Sequence, residues 1–360
     1  MADNLMKQFD LIGASIKLIL KENVLAVISD KELNTVSSAI YNGGGLKKTK
    51  IIVNTQVTDE YGDRPLHANP HLFITESFKK LGRNDNFVGM VTYANISDFS
   101  LVSKTLDDLS VIVIATAGCT HAESAGEKIE VQPIAGTINI IVVIDGHPDE
   151  ACLVSCLITA TEAKTAALRE LDVRSRYSGS EATGTVTDAM VVAETGNGPK
   201  IIYGGPASKL GQLVASCTRQ AVKEAVSRSR IGGFLPQRSV MQRLAERHLS
   251  VKRLAFELSK VKSLNTDVKT LSNFLTKKLT EEPLFASLIF AAVKISEDFE
   301  QGLVPEQFGD LSLLGKHFAD LLSKAPSSSN PPEDCHVNLP PFLRQVLVGL
   351  LESAFSEGKN

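Results

Sequence analysis

The chain has 360 residues, a formal net charge of −3 and 43% hydrophobic residues. This length exceeds one typical domain and the hydrophobic content permits a full core, so we expect two domains and no global disorder. A net charge so close to zero does not by itself favour nucleic-acid binding. The five cysteines are an odd number without paired spacing, which excludes a disulfide framework and favours a reducing compartment.

The N-terminal segment has no signal-peptide pattern. Residues 1–10 are polar and include two acids, whereas a signal peptide has a basic start and then an apolar run. The chain has no uninterrupted apolar run of the roughly 20 residues that span a bilayer. We therefore expect a cytoplasmic protein without a membrane partner.

Extended and helical patterns alternate in the first part of the chain. A lead-in helix is predicted over Leu5–Leu20, then a short strand at Val24–Ser29 and a glycine turn at Asn42–Gly45. Apolar runs predict four further strands: Lys50–Val57, Asn86–Tyr93, Leu109–Ala117 and Gly136–Asp145. A buried amide must be hydrogen-bonded, so Asn139 in the last of these strands either holds a neighbouring loop or faces a ligand.

Two histidines, His67 and His71, lie four residues apart, a spacing that can bind a metal on one helical face. Pro70 separates them and is expected to begin a helix over Pro70–Leu81 rather than to lie within it. The two imidazoles then do not share a face, and we expect no metal site.

The loop after the strand Leu109–Ala117 carries Cys119 and His121. A cysteine beside a histidine permits a nucleophile–base pair. Such pairs are recognised by geometry, which adjacency in sequence seldom provides. The more common alternative is a loop of small residues without catalytic chemistry.

The clearest helix is Pro148–Asp172, where apolar residues recur at helical spacing. A strand with a glycine turn at Lys200–Gly205 and a helix at Ser208–Ser227 follow. This alternation predicts an α/β layered N-terminal domain with a mixed sheet, over residues 1–230. The two common glycine-rich phosphate motifs are absent from the sequence.

From residue 231 onwards the pattern is helical, and we predict an all-α C-terminal domain over residues 231–360. Between Arg228 and Lys262 there are nine basic residues and two acidic ones, a local charge of +7. Few aromatic residues interleave with them, so a solvated helix face is favoured over nucleic-acid binding. The domain suggests docking of a protein partner or self-association.

A threonine-rich loop, A-T-G-T-V-T-D at Ala182–Asp188, precedes the apolar run Met190–Ala193. Small hydroxylated residues around a glycine let backbone N–H groups and hydroxyls converge on a ligand. The alternative is a threonine-rich turn that an aspartate caps.

Seven short motifs follow one another in a fixed order. They are S-S-A-I-Y-N-G-G at Ser37–Gly44, V-G-M-V-T at Val88–Thr92, A-T-A-G at Ala115–Gly118, G-T-I-N-I-I-V at Gly136–Val142, T-A-T-E-A-K-T-A-A-L at Thr159–Leu168, A-T-G-T-V-T-D at Ala182–Asp188 and S-K-L-G at Ser208–Gly211. In these motifs, residues 20–227 resemble the adenosylcobinamide amidohydrolase family of corrinoid salvage.

The resemblance implies hydrolysis of the amide that joins aminopropanol to the corrin ring, with adenosylcobyric acid as one product. The cobalt-containing corrinoid is then the substrate, and we expect no required cofactor and no protein-bound metal. Amide hydrolysis needs a base and donors for the developing oxyanion. Within the matched motifs, Asp188 or Glu162 is the candidate base, and Lys164, Asn42 or the backbone at Thr183–Thr185 are the candidate oxyanion donors.

The residues expected to bind substrate also lie in the matched motifs. They are Asn42, Gly43, Gly44, Asn139, Thr165, Thr183, Gly184, Thr185 and Thr187. Three positions depart from the family pattern: Val186 stands where the family has glycine, Ala207 where it has histidine, and His121 where it favours asparagine. The alternative function is therefore a non-catalytic protein that binds a corrinoid or a tetrapyrrole-like ligand on the same fold.

Overall fold

The computed structural model describes residues 6–12, 15–57, 69–129, 136–229, 238–304 and 337–356, with residues 315, 317–318 and 320–321. By its internal contacts the chain divides into two compact units, Met1–Gln237 and Arg238–Asn360. The sequence predicts a division after residue 230. His67, one half of the histidine pair considered above, lies outside the described residues.

The N-terminal unit contains strands β1–β13 and helices α1–α3. The strands are β1 Lys7–Ile12, β2 Ile16–Lys21, β3 Val24–Ser37, β4 Gly44–Gln56, β5 Phe87–Thr92, β6 Ser100–Leu106, β7 Leu109–Gly118, β8 Ala122–Glu123, β9 Thr137–Asp145, β10 His147–Pro148, β11 Gly184–Thr185, β12 Ala189–Glu194 and β13 Lys200–Ile201. The helices are α1 Pro70–Lys79, α2 Glu150–Glu170 and α3 Lys209–Arg228.

The main sheet has the strand order β1-β2-β3-β12-β9-β7-β6, and β4 pairs with both β3 and β5. Strand β12 runs parallel to β9 and antiparallel to β3. The sheet is therefore mixed, as the sequence predicts. The long strand β3 pairs with β2, β4 and β12, which lets β4 and β5 form a second layer over the main sheet.

Side-chain alternation along the strands separates three apolar cores. In β9, Ile140 and Val142 face α2 and α3, whereas Ile141 and Val143 face the layer of β4 and β5. A third core lies between the outer side of β3 and β4 and helix α1. The unit is thus a stack of helices α2 and α3, the main sheet, the β4–β5 layer and helix α1. The predicted α/β layered class is confirmed.

The predicted lead-in helix over Leu5–Leu20 is wrong, because this segment forms the hairpin β1–β2. Along β2 the side chains alternate between buried and half-buried, the period of a strand rather than of a helix. Strand β6 was not predicted from the sequence. Strand β3 extends beyond the predicted Val24–Ser29, and within the predicted strand and glycine turn at Lys200–Gly205 the strand β13 comprises Lys200–Ile201.

Helix α2 begins with Asp149, whose side chain accepts a hydrogen bond of 3.0 Å from the N–H of Cys152. Among the described residues it is the helix that is long and apolar enough to cross a bilayer, and half of its apolar window is buried inside the protein. Its buried residues, which include Leu153 and Cys156, pack against the main sheet. The apolar composition of α2 is therefore that of a core helix.

The C-terminal unit is helical throughout its described segments. Its helices are α4 Val240–Glu246, α5 Val251–Leu258, α6 Val268–Glu281, α7 Pro283–Glu300 and α8 Pro341–Ser356. They enclose an apolar core of their own, around Leu254, Leu271, Phe285 and Val346. The predicted all-α class is confirmed for the part of this unit that the structure describes.

Several basic residues at the start of this unit have partners within it. Arg238 pairs with Glu246, and Lys260 pairs with Glu257. The guanidinium of Arg243 lies 3.9 Å from the ring centroid of Phe290, a cation–π arrangement. These three basic residues therefore each have a partner inside the unit.

Candidate active site

The threonine-rich loop Ala182–Asp188 folds back on the carboxylate that ends it. Oδ1 of Asp188 accepts from the N–H of Ile138 at 2.8 Å and from the hydroxyl of Thr185. Oδ2 accepts from the N–H of Thr185 at 3.1 Å and from the ammonium group of Lys164. The loop, the start of β9 and helix α2 therefore meet at one carboxylate.

Lys164 and Asp188 form an ion pair that is largely removed from water. Their side chains are 11% and 15% exposed, respectively. A carboxylate has about four lone-pair positions, and four donors occupy those of Asp188. This saturation favours an anchoring role for Asp188 over that of a proton acceptor. The anchored carboxylate holds the ammonium group of Lys164 in a defined position.

Gly184 is required by the approach of this ion pair to the loop backbone. A Cβ at this position would lie 2.6 Å from Oδ2 of Asp188 and 2.8 Å from Nζ of Lys164. Any side chain at residue 184 would displace one of the two charged groups. Gly184, the glycine of the T-G-T sequence, thus leaves the space that the Lys164 ammonium group occupies.

The threonine hydroxyls fasten the loop to its neighbours. Thr165 in α2 donates to the carbonyl of Thr183 at 3.1 Å, and the hydroxyl of Thr183 accepts from the N–H of Ala125 at 2.9 Å. Thr187 donates to the carbonyl of Gly136 at 2.9 Å. These hydroxyls retain free lone pairs, because a hydroxyl oxygen can accept twice. Thr165 and Thr187 already donate within the protein, so a ligand can meet their hydroxyls only as acceptors, whereas the hydroxyl of Thr183 accepts from Ala125 and keeps its own proton to donate.

Two of the three backbone N–H groups expected as oxyanion donors already have partners. The N–H of Thr183 donates to the carbonyl of Glu123 at 2.9 Å, and that of Thr185 donates to Asp188 at 3.1 Å. These two amides hold the loop itself. Of the predicted donors near the loop, the ammonium group of Lys164 is then the best suited to a developing oxyanion.

The predicted binding turn Asn42–Gly44 lies between β3 and β4 and is bonded to β5 instead. Asn42 has a φ of 53°, and its amide donates to Oδ1 of Asn86 at 3.1 Å and to the carbonyl of Phe87 at 3.0 Å. A Cβ at Gly43 would lie 2.0 Å from the carbonyl oxygen of Ala39. The structure therefore gives this turn a packing role and does not place it with Lys164.

Asn139 points away from Asp188, into the space between the main sheet and the β4–β5 layer. Its amide nitrogen donates to Oδ1 of Asn54 and to the carbonyl of Val91, each at 2.8 Å, and its oxygen accepts from the N–H of Ala189 at 3.1 Å. The side chain is 1% exposed. Of the two roles that the sequence left open, these bonds favour the holding of neighbouring segments.

Glu162 is exposed on α2 and does not join the Lys164–Asp188 pair. Residues two positions apart on a helix do not face each other. Glu162 instead lines a groove of about 860 Å³ between α2 and α3, together with Pro206, Gln212 and Arg219. The structure thus separates the two candidate bases, Glu162 and Asp188.

Glu123, which was not predicted from the sequence, is brought to the site by pairing of β8 with β11. It lies opposite Gly184 in this pair. Burial raises the pKa of its carboxyl, and the negative charges of Asp188 and Glu127 raise it further, while Lys164 lowers it. The sequence shows Glu123 as an acid in a loop, but Gly184, with which it pairs, lies some sixty positions later in the chain. No local sequence pattern therefore indicates that Glu123 belongs to the site.

His121, two residues before Glu123, is 6% exposed. Burial lowers its pKa, and so does the charge of Arg176, which keeps the imidazole neutral at neutral pH. Its Nδ1 atom has no hydrogen-bond partner among the described residues. The imidazole is thus buried inside the protein, whereas Cys119 is half-buried.

Residues 11–231 match the family model described as CbiZ, adenosylcobinamide amidohydrolase. This range includes Glu123, Lys164, Gly184 and Asp188. The chain belongs to the adenosylcobinamide amidohydrolase family. The family is one of amide hydrolases.

Two relatives of this family member each match a little over half of the chain. An adenosylcobinamide amidohydrolase from Methanosarcina mazei is 31% identical over 213 residues, which are 57% of this chain and 94% of the relative. An uncharacterized protein from Methanocaldococcus jannaschii is 28% identical over 203 residues, 51% of this chain and 78% of the relative. A solved L-aminopeptidase D-Ala-esterase/amidase from Ochrobactrum anthropi is 8% identical, with a TM-score of 0.31, over 62% of this chain and 83% of that chain.

Two of the departures from the amidohydrolase pattern now have a place in the fold. Among the described residues, positive φ values occur at a few non-glycine positions, and Val186 is not one of them. A β-branched side chain is therefore compatible with this loop. Ala207 is exposed and follows Pro206, which lines the groove beside Glu162. The histidine that the sequence resemblance implies for position 207 would thus stand near that groove.

Proposed function

We propose that this protein hydrolyses the aminopropanol amide of adenosylcobinamide to adenosylcobyric acid and the amino alcohol, as a step of cobalamin salvage in the cytoplasm. Membership of the family supports the substrate class. The observation that carries the proposal is the ammonium group of Lys164, held by Asp188 in the space that Gly184 leaves open.

The chemistry of amide hydrolysis fits this arrangement. As water adds to the amide carbon, negative charge develops on the carbonyl oxygen, and a preorganised donor stabilises it most strongly where water is largely excluded. Lys164 supplies a full positive charge in such a place. Asp188 prevents the ammonium group from turning away, so Lys164 needs little reorganisation when the charge develops.

The corrinoid carries its own cobalt, and the proposed hydrolysis uses water and side chains of this chain. Among the described residues, no group of three or more histidine, cysteine, aspartate or glutamate side chains has the arrangement of a metal site. We assign the polarisation of the carbonyl to Lys164 because Asp188 holds its ammonium group in a poorly exposed place.

The direct test is incubation of the pure full-length protein with adenosylcobinamide, followed by mass-resolved chromatography of the products. We expect adenosylcobyric acid to form. Binding of adenosylcobinamide without product would support the alternative, a non-catalytic corrinoid-binding protein. If adenosylcobinamide neither binds to the protein nor is hydrolysed by it, both functions are contradicted.

The role of Lys164 is tested by Lys164→Gln. Loss of one oxyanion donor typically lowers kcat by about 10²–10³-fold, and we expect an effect of that size. Glu76→Gln, on the exposed face of α1, is the control and should keep the wild-type rate. Breaking a poorly exposed ion pair costs about 3–5 kcal/mol of stability, so rates are compared on samples whose circular dichroism matches the wild type. Lys164→Arg, which keeps the charge, provides a second variant and should retain more activity than Lys164→Gln.

A further inference from the structure

Glu123 and Gly184 are directly paired in the short antiparallel strands β8 and β11. Directly paired residues of antiparallel strands project to the same face, with their Cβ atoms about 4.5–5.5 Å apart. On the face of Gly184, Nζ of Lys164 and Oδ2 of Asp188 lie 2.8 Å and 2.6 Å from the position of a Cβ. The side chain of Glu123 therefore leaves its strand on the side where the ion pair lies.

The surroundings of Glu123 favour exchange of a proton. Its side chain is half-buried, and burial, Asp188 and Glu127 together raise its pKa against the opposing effect of Lys164. Burial raises the pKa of the Tyr177 phenol, and the charge of Glu123 raises it further. A carboxyl with a raised pKa is better matched to proton transfer near neutral pH than an ordinary one.

The two neighbouring carboxylates are occupied by other hydrogen-bond donors. Asp188 accepts from four donors, as described above. For Glu127, burial opposes ionisation, but hydrogen bonds from Ser175, Ser178 and the N–H of Ser124 outweigh it and lower the pKa. Unequal environments of this kind assign different roles to neighbouring acids. Glu123 is the member of the group whose environment favours a change of protonation.

We propose that Glu123 is a catalytic residue that transfers the proton in the amide hydrolysis, beside Lys164 as the donor to the oxyanion. This inference rests on the proposed function and deepens it. The Glu123 carboxylate takes a proton from water as the water oxygen bonds to the amide carbon, and the carbonyl π electrons move to oxygen, where Lys164 balances the charge.

The second half of the reaction returns the proton. When the tetrahedral intermediate collapses, the carbonyl re-forms, the C–N bond breaks, and Glu123 donates its proton to the nitrogen of the leaving amino alcohol. One water is consumed, one carboxylic acid and one amine are formed, and Glu123 is again a carboxylate. No oxidant or reductant is needed.

The test compares Glu123→Gln, Glu123→Asp and the control Glu76→Gln in the full-length protein, with adenosylcobinamide as substrate. We expect Glu123→Gln to lower kcat by about 10²–10⁴-fold, the usual contribution of general acid–base catalysis. Its Kd for adenosylcobinamide should stay close to that of the wild type. The acidic limb of the pH profile of kcat/KM should be present in the wild type, shifted in Glu123→Asp and absent from the residual activity of Glu123→Gln.

The outcomes separate this inference from the proposed function. If the wild type hydrolyses adenosylcobinamide and Glu123→Gln does so at a similar rate with the same acidic limb, the inference is overturned and the function stands. Loss of substrate binding together with activity would assign Glu123 to binding and would also overturn it. If the wild type forms no product, the proposed function itself fails.

Discussion

Gly184 and Lys164 share one space, since a Cβ on residue 184 would lie 2.8 Å from the Lys164 ammonium nitrogen. The glycine therefore sets how closely the loop backbone approaches the ion pair. We expect even an alanine at residue 184 to displace the charged groups of Lys164 and Asp188 while the fold is retained.

Gly184→Ala tests this relationship. The methyl group should push Lys164 or Asp188 out of place, and a displacement of about 1 Å can cost about 10²-fold in rate. The measurement is kcat for adenosylcobinamide hydrolysis. The matched control is Gly45→Ala in β4, where a Cβ meets nothing within 4 Å. Equal rates for both alanine variants would contradict the assigned role of Gly184.

The raised pKa of Glu123 predicts that Glu123→Gln stabilises the protein at neutral pH. The folded state binds the proton more tightly than the unfolded state, so ionisation of Glu123 costs stability. This cost is complete above the raised pKa and vanishes below the ordinary value of 4.5. Melting curves between pH 4 and pH 8 should show a higher Tm for Glu123→Gln at pH 8 and convergence with the wild type near pH 4.

Glu127→Gln should behave in the opposite way. The pKa of Glu127 is lowered because its hydrogen bonds outweigh the effect of burial. Ionisation of Glu127 therefore stabilises the folded state at pH values above the ordinary pKa of a glutamate. This stabilisation is lost as the pH falls through the pKa of Glu127 in the folded state. The variant should melt below the wild type at pH 8. The same sign of Tm change for both variants would contradict the assignment of their environments.

Asn139→Leu is expected to destabilise the N-terminal unit. The substitution leaves the N–H of Ala189, the carbonyl of Val91 and Oδ1 of Asn54 without this partner inside the protein. Each unsatisfied buried group costs about 1–3 kcal/mol, so we expect a loss of at least about 3 kcal/mol in urea unfolding. Asn197→Leu, at an exposed site, should cost less than about 1 kcal/mol.

Arg247→Ala is expected to destabilise the C-terminal unit. The Arg247 side chain is 2% exposed and its Nε lies 2.9 Å from Glu297, while its guanidinium lies 4.8 Å from the ring centroid of Phe290. Removal of one partner of a buried pair costs about 3–5 kcal/mol. Hydrogen exchange of α4 and α7 should accelerate, whereas the exposed Lys262→Ala should leave it unchanged. Equal protection in both variants would contradict the role of the ion pair.

The sequence predicts the layered fold where local patterns are strong. The apolar runs of β7 and β9 and the helical repeat of α2 each determine their own element, and the structure confirms them. The hairpin β1–β2 was predicted as a helix because leucine, isoleucine and lysine suit both structures over a short segment. Its strand character depends on pairing with β3, which lies outside any local window.

Lys164 and Asp188 were predictable from local sequence motifs, whereas Glu123 was not. Lys164 and Asp188 lie in motifs that the sequence displays, and the ion pair brings them together. Glu123 stands in an ordinary loop sequence, and its proximity to the pair arises from the register of β8 with β11. Glu162, next but one to Lys164 in sequence, faces elsewhere because of the helical turn.

Ile138 and Asn139 are neighbours in β9 and serve opposite sides of the sheet. The N–H of Ile138 holds Asp188, and the amide of Asn139 reaches Asn54 in the second layer. A slip of one residue between β9 and β12 would turn the asparagine into the aliphatic core beneath α2 and release Asp188. The polar contacts between the two layers therefore favour the correct register of β9 with β12. In a sheet with the wrong register, the Lys164–Asp188 ion pair would not form.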